Sequence, residues 1–292
     1  MTLEQLRIFV AVAEREHVTR AAVDLNLTQS ATSAAVSALE ARYATKLFDR
    51  IGRRIVLTDA GRLFLVEARA VLARASAAET MLADLAGLRK GRLSLSASQT
   101  VASYWLPPLM HRYIKRYPGV TVALDIANTE IVAAAVHEGA ADIGVVEGEV
   151  DDAQLVVTPV AEDELVLVVG RDHPWADGRE VSSGDLAATS WVLREHGSGT
   201  RAILEAVIAR TGRSFDDLEI AMTLSSNEAV RAAVEAGAGA TVMSKLVAAS
   251  ALATGALALA GFAVPNRRFY ALRHRERHVT QAAAAFLDLI GG

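Results

Sequence analysis

Residues 21–43, AAVDLNLTQSATSAAVSALEARY, decide how the N-terminal region folds. Thr19 can cap a short helix over 20–25 whose inner face is Ala21, Ala22 and Leu25. Asn26-Leu27 makes a tight turn. Thr28 can cap a third helix that runs to Tyr43 with Ala31, Val36 and Leu39 inward. Upstream, LEQLRIFVAVAE (3–14) places Leu3, Leu6, Phe9, Val10 and Ala13 at helical spacing. Downstream, LFDRIGRRIVLTDAG (47–61) supplies an apolar anchor at Leu47 and Phe48, a tip of Gly52-Arg53-Arg54, and a strand at Ile55-Val56-Leu57. The pattern is a helix-turn-helix followed by a two-stranded wing.

Helix-turn-helix spacing alone is shared with an ordinary helical hairpin. The basic wing tip and the charge distribution separate the two. Residues 1–90 hold 13 Lys and Arg against 10 Asp and Glu, while residues 91–292 hold 17 against 24. A mildly basic N-terminal piece therefore precedes an acidic remainder. The third helix has no Lys or Arg before Arg42. It can still dock on double-stranded DNA. Thr28, Ser30, Thr32 and Ser33 can hydrogen-bond phosphate together with the helix N-terminus, and Thr32 or Ser33 can also touch a thymine methyl. Gln29 can pair with adenine in the major groove. Arg53 and Arg54 would add minor-groove and backbone contacts. Base reading should be sparse, with affinity drawn from duplication of the head and from the wing.

Thr58 or Asp59 can cap a long helix from 60 to about 88, free of Pro and, after Gly61, of internal Gly. Leu63, Val66, Ala70, Ala73 and Ala77 recur at coiled-coil spacing. Such a helix outside a core needs a partner to bury its seam, and a homodimer is the simplest one. It would hold two heads about one DNA turn, ~34 Å, apart. GLRKGR (87–92) reads as a hinge.

Beyond the hinge, strands are expected at 92–97, 120–126, 142–146, 164–170, 190–193, 219–224, 239–243 and 267–272. Helices are expected near 101–117, 129–138, 183–187, 199–212, 226–236, 245–254 and 278–290. This alternation implies an α/β domain with a parallel-type sheet, in one body or two lobes. The uncharged run at 246–264 reads as a buried helix, a turn at Gly255 and a buried strand rather than a membrane span.

The chain has no Cys, which removes disulfides, thiolate metal sites and cysteine nucleophiles. Its N-terminus lacks the basic and apolar regions of a secretory signal, so a cytoplasmic protein is expected. No nucleophile elbow, phosphate-binding loop or dinucleotide fingerprint is present, so no cofactor is expected. His274 and His278 are four apart but sit among arginines outside any zinc motif, so no metal is expected.

Two strand-to-helix turns carry the remaining chemistry. SASQTVASYWLPPLM (96–110) puts Ser98, Gln99 and Thr100 before a helix; WVLREHGSGTRAIL (191–204) puts Ser198, Gly199 and Thr200 before another, with Arg201 adding charge. Each alone could be a capped turn. Two of them facing one cleft suit a small anion. Asn128-Thr129 and Ser226-Asn227 are similar helix starts, and Glu147 follows a strand as a cleft or hinge acid.

The segments LEQLRIFVAVAE, TRAAVDLNLTQSATSAAVSALE and LFDRIGRRIVLTDAG, followed by the long helix and an α/β domain, resemble the LysR-type transcriptional regulators along essentially the whole chain. The resemblance implies a winged helix-turn-helix domain over 1–58, a dimerising linker helix over 59–90, and a two-lobed effector domain like periplasmic binding proteins over 91–292. Lobe I would be 92–161 plus 267–292, and lobe II 162–266. It implies a tetramer built as a dimer of dimers, bent and imperfectly palindromic promoter sites, and RNA polymerase as a candidate partner. The family often starts its recognition helix with Gln-Pro-Ala-Leu-Ser-Arg-Gln. Here Gln29 and Ser33 match, while Ser30, Ala34 and Ala35 replace the Pro, Arg and second Gln. ATSWVLREHGSGTR, DIGVVEG and EDELVLVV resemble members linked to sulfur assimilation and sulfite response, and less closely carbon-fixation regulators. Sulfite or sulfate is what that likeness implies.

Two other functions compete. A solute-binding or transport-associated protein would share the two-lobed fold but not the N-terminal head. An enzyme would need an assembled nucleophile, base and orienter, and none can be named.

Overall fold

The computed structural model describes residues 1–51, 54–85, 91–148 and 150–291. The wing tip Gly52-Arg53 and most of the expected hinge lie outside the described residues. The chain forms two compact units, the residues through the long helix and the residues from 91 onward.

In the first unit, α1 (Leu3–Arg15), α2 (Val18–Asp24) and α3 (Gln29–Tyr43) precede the antiparallel strands β1 (Phe48–Ile51) and β2 (Arg54–Leu57), with α4 (Asp59–Leu85) after them. Leu6, Phe9, Val12, Val36, Leu39 and Phe48 form the core, with Ala68 of α4 in it. Leu3 was expected inward but is 39% exposed. The helix expected to start after Thr19 begins two residues earlier. His17 is its cap, with Nδ1 accepting the Arg20 N–H at 3.4 Å. Thr58 Oγ1 accepts from the Gly61 N–H at 2.9 Å and so starts α4. Glu40 ties α3 to the wing. Its Oε1 accepts from the Leu47 and Phe48 N–H groups, and its Oε2 from Lys46. On α4, Leu63 is 74% and Val66 46% exposed, a stripe with no cover in the single chain.

In the second unit, β3 (Gly91–Ser98), β4 (Val120–Ala127), β5 (Ile143–Glu147), β6 (Leu155–Asp163) and β12 (Arg267–His274) form one sheet in the order β4-β3-β5-β12-β6. β7 (Leu165–Gly170), β8 (Ser190–Arg194), β9 (Glu219–Leu224), β10 (Ala240–Ser244) and β11 (Leu257–Leu259) form the other, in the order β11-β7-β10-β8-β9. The helices are α5 (Leu106–Arg116), α6 (Thr129–Glu138), α7 (Gly199–Arg210), α8 (Asn227–Glu235), α9 (Lys245–Ala253) and α10 (Gln281–Gly291). This is the two-lobed α/β architecture anticipated from the sequence. Each sheet has an apolar core on both faces. Phe269 and Phe286 mark one face of the first sheet and Val132 and Val146 the other; Trp191 and Ile208 mark one face of the second and Val192 and Val247 the other.

Three expectations change. The sheets are mixed, because β12 runs antiparallel to β5 and β6, and β7 antiparallel to β10 and β11. β6 was not anticipated. It carries Pro159, which lacks an N–H and is tolerated because β6 is an edge strand. It continues through Asp163, past the lobe boundary drawn at 161. The helix expected over 101–117 opens with a π-helical turn at Val101–Trp105 before α5. The uncharged run folds as α9, a turn at Gly255 and the edge strand β11, where Leu257 is buried but Leu259 is 46% exposed. Among the described residues no helix is long and apolar enough to cross a membrane.

Candidate functional site

On the N-terminal unit, Thr28, Gln29 and Ser30 are exposed at the start of α3, and Ser33 is half-buried. Thr28 Oγ1 accepts from the Ala31 N–H at 3.2 Å and lies 3.1 Å from Ser30 Oγ. Thr32 does not reach the surface. It is fully buried, with Oγ1 donating to the Thr28 carbonyl at 3.1 Å, while Ala31 is exposed in its place. The helix is therefore rotated by about one position from the expected face. The third turn explains it: Val36 and Leu39 enter the core, and helical spacing then carries Thr32 in with them. Arg53 lies outside the described residues, and of Arg54 only the backbone pairing with Ile51 is described.

In the second unit the two serine turns meet. β3 ends at Ser98 and its parallel neighbour β5 ends at Glu147. α7 starts directly against Glu147. A Cβ on Gly199 would stand 2.2 Å from the Glu147 carbonyl oxygen, so no other residue fits that approach. Gly197, at φ +80°, turns the chain just before it. Thr129 Oγ1 donates to the Glu147 carbonyl at 2.9 Å, and Asn128 Nδ2 donates to the His196 carbonyl at 3.3 Å across the lobes. Gln99 bridges them too: Nε2 donates to the Ser225 carbonyl at 2.6 Å, and Oε1 accepts the Asn227 N–H at 2.9 Å.

At the centre is a buried polar cluster. Thr100 Oγ1 donates to Glu147 Oε1 at 3.3 Å and accepts from Asn227 at 3.1 Å and Arg267 at 3.4 Å. Arg267 also donates to Asp163 at 2.8 Å and Thr200 at 2.9 Å, and Ser244 donates to Asp163 at 2.6 Å. Arg194 makes a bidentate pair with Glu195 and donates to Asn227 Oδ1 at 2.5 Å. Burial pushes the Glu147 carboxyl up from the ordinary carboxylate range; Arg267 and Arg194 oppose this and Asp163 adds to it. Burial would raise Glu195 as well, but its pairing with Arg194 outweighs that and holds it low.

Three buried polar atoms here have no partner: Ser98 Oγ, Ser198 Oγ and Glu147 Oε2. Ser198 holds the N-cap position of α7, yet its hydroxyl makes no cap hydrogen bond. A serine in a capping backbone conformation normally spends its oxygen on the helix. This hydroxyl is left over for something else.

The expected residues thus divide. Ser98, Thr100, Glu147, Ser198, Gly199 and Thr200 converge, and Gln99 and Asn128 join the lobes at the rim. Arg201 is turned away. It pairs with Glu205 at 2.7 Å and stacks over Phe215 at 5.4 Å. The cleft's cations are instead Arg267 and Arg194, which the sequence reading did not select. A signal existed for Arg194, a charge ending the apolar run Trp191-Val192-Leu193. Arg267 had none, since its partners lie 67 to 167 residues away.

Two family profiles cover the chain. Residues 3–62 match a bacterial regulatory helix-turn-helix protein of the lysR family, and residues 86–292 match the LysR substrate binding domain. The chain is 36% identical to an Escherichia coli K12 protein described as uncharacterized HTH-type transcriptional regulator YeiE, over 99% of this chain and 96% of that one. It is 34% identical to the Bacillus subtilis HTH-type transcriptional regulator CysL, over 85% and 82%. It is 33% identical to the RuBisCO operon transcriptional regulator of Allochromatium vinosum, over 99% and 95%. The crystal structure of full-length CbnR complexed with its target DNA superposes with a TM-score of 0.71 at 25% identity, covering 99% of both chains. The Synechocystis CcmR regulatory domain in complex with 2-PG superposes with a TM-score of 0.63 at 27% identity, covering 69% of this chain and 96% of that one.

Proposed function

The chain belongs to the lysR family of bacterial helix-turn-helix regulators, and from that premise we propose that it senses a small oxyanion, sulfite or sulfate favoured, and changes its promoter binding in response. It is a DNA-binding transcriptional regulator with an effector-binding domain, not an enzyme. The oxyanion reading rests on one observation. The buried hydroxyls of Ser98 and Ser198, one from each lobe, have no partner beside the start of α7. Buried polar groups are almost always hydrogen-bonded, so two orphaned donors at one place mark a missing acceptor. Similarity to CysL is shared with regulators of RuBisCO operons, so the relatives do not choose the ligand.

In this reading Thr28, Gln29, Ser30 and Ser33 face the DNA, with Arg53 and Arg54 on the wing. Leu63 and Val66 on α4 are covered by a second copy, and two dimers make a tetramer. Such a regulator works in the cytoplasm beside the chromosome, where RNA polymerase is the further partner. A ligand alters promoter binding only if it favours one lobe arrangement over the other.

Thermal unfolding of the full chain with sulfite, sulfate and short carboxylates tests the oxyanion reading. A ligand at 100 times its Kd stabilises by about 2.7 kcal/mol. The stabilisation should appear with the oxyanions and disappear in Ser98→Ala/Ser198→Ala. A flat response to every anion removes the reading.

A further inference from the structure

The cleft has a charge problem that the oxyanion reading must meet. Both buried cations are already committed, Arg267 to Asp163 at 2.8 Å and Arg194 to Glu195 at 2.8 Å. Glu147 has only a distant share of Arg267, at 3.8 Å. Its side chain is 2% exposed, and Oε2 has no partner. The groups facing it are Thr100 after β3, Thr129 of α6, Arg267 of β12, Asp163 of β6, Arg194 of β8, and the start of α7 with Ser198 and Thr200. An anion held by Ser98 and Ser198 would add a second negative charge beside an ionised carboxylate. Like charges in hydrogen-bond contact in a dry site cannot both persist; one proton must lie between them.

We propose that the cleft binds its oxyanion together with one proton, held by Glu147 and donated from Oε2 to an oxygen of the ligand. The inference rests on the oxyanion reading. Solvent supplies the proton: carboxylate, hydronium-derived proton and ligand dianion give a neutral carboxyl hydrogen-bonded to the bound dianion. All three orphaned atoms then gain partners, because the two serines and the neutral carboxyl all donate to the ligand. Glu147 thereby selects acceptor-only oxyanions, and a ligand that brings its own proton needs none from solvent. The carboxyl is already displaced toward its neutral form by burial, so little work is needed to protonate it.

The test is isothermal titration of full-length protein with sulfate, in buffers of different ionisation enthalpy, from about pH 6 to about pH 9. Sulfate carries no proton across that range, so all uptake belongs to the protein. About one proton should be taken up per site above the Glu147 pKa, and affinity should fall about tenfold per pH unit there. Glu147→Gln, which donates permanently from its amide, should bind sulfate with no uptake and no pH dependence. Sulfate binding by the natural protein without proton uptake at any pH overturns the inference and leaves the oxyanion reading standing. Uptake that persists in Glu147→Gln also overturns it. No binding of sulfate or sulfite at any pH overturns both.

Discussion

Gly199 of one lobe rests on Glu147 of the other so closely that a single added methyl would meet the Glu147 carbonyl oxygen at 2.2 Å. The position is a gauge of lobe closure. Gly199→Ala should force the start of α7 off β5, costing about 1–3 kcal/mol by overpacking. Thermal unfolding should show the loss, and titration should show weaker oxyanion binding. Full-strength binding in this variant would mean the ligand meets the lobes in a more open arrangement.

Arg267 and Asp163 form a pair that is almost wholly enclosed. Removing one partner leaves a buried charge, so Arg267→Met should destabilise the chain by about 3–5 kcal/mol. The double change Arg267→Met/Asp163→Leu should recover much of that loss. Chemical denaturation of the three variants and the parent gives the cycle.

Glu40 is held below the ordinary carboxylate range. Burial would raise it, but Lys46 and the Leu47 and Phe48 N–H groups outweigh burial. A depressed folded-state pKa gives stability that is present above the unfolded value and lost as pH falls through the folded one. Glu40→Gln should therefore cost about 1.5–3 kcal/mol near neutrality, the value of hydrogen bonds to a charged acceptor. The gap between variant and parent should close in acid. Acid titration followed by circular dichroism reads it.

Gln29 and Thr32 separate surface from core on the recognition helix. Gln29→Ala should cost about 1–3 kcal/mol of DNA binding, concentrated at one adenine position of the site. Thr32→Val should leave base preference unchanged, because its hydroxyl serves the Thr28 carbonyl. Binding to a set of single-base operator variants distinguishes the two. Loss of base preference in Thr32→Val would count against this placement of the helix.

The features legible in the sequence were those set within a few residues. Helical spacing exposed α1 and α3, and the strand-to-helix order of Ser98 and Ser198 picked out both turns. The face of α3 was misread by one position because Ala31 and Thr32 are both small enough to be buried, and only the core around Val36 and Leu39 decides between them. β6 was missed because Pro159 reads as a strand breaker until its edge position is known. Arg267 acts through residues far along the chain, and no local pattern marks such a partner.

Gln99 has one more consequence. Its carboxamide oxygen takes the first N–H of α8, so a helix of one lobe is capped by a side chain of the other. Parting the lobes and fraying α8 are thus a single event. Amide exchange at Asn227 would clock that event directly, slowing whenever a ligand draws the halves together and quickening in Gln99→Ala.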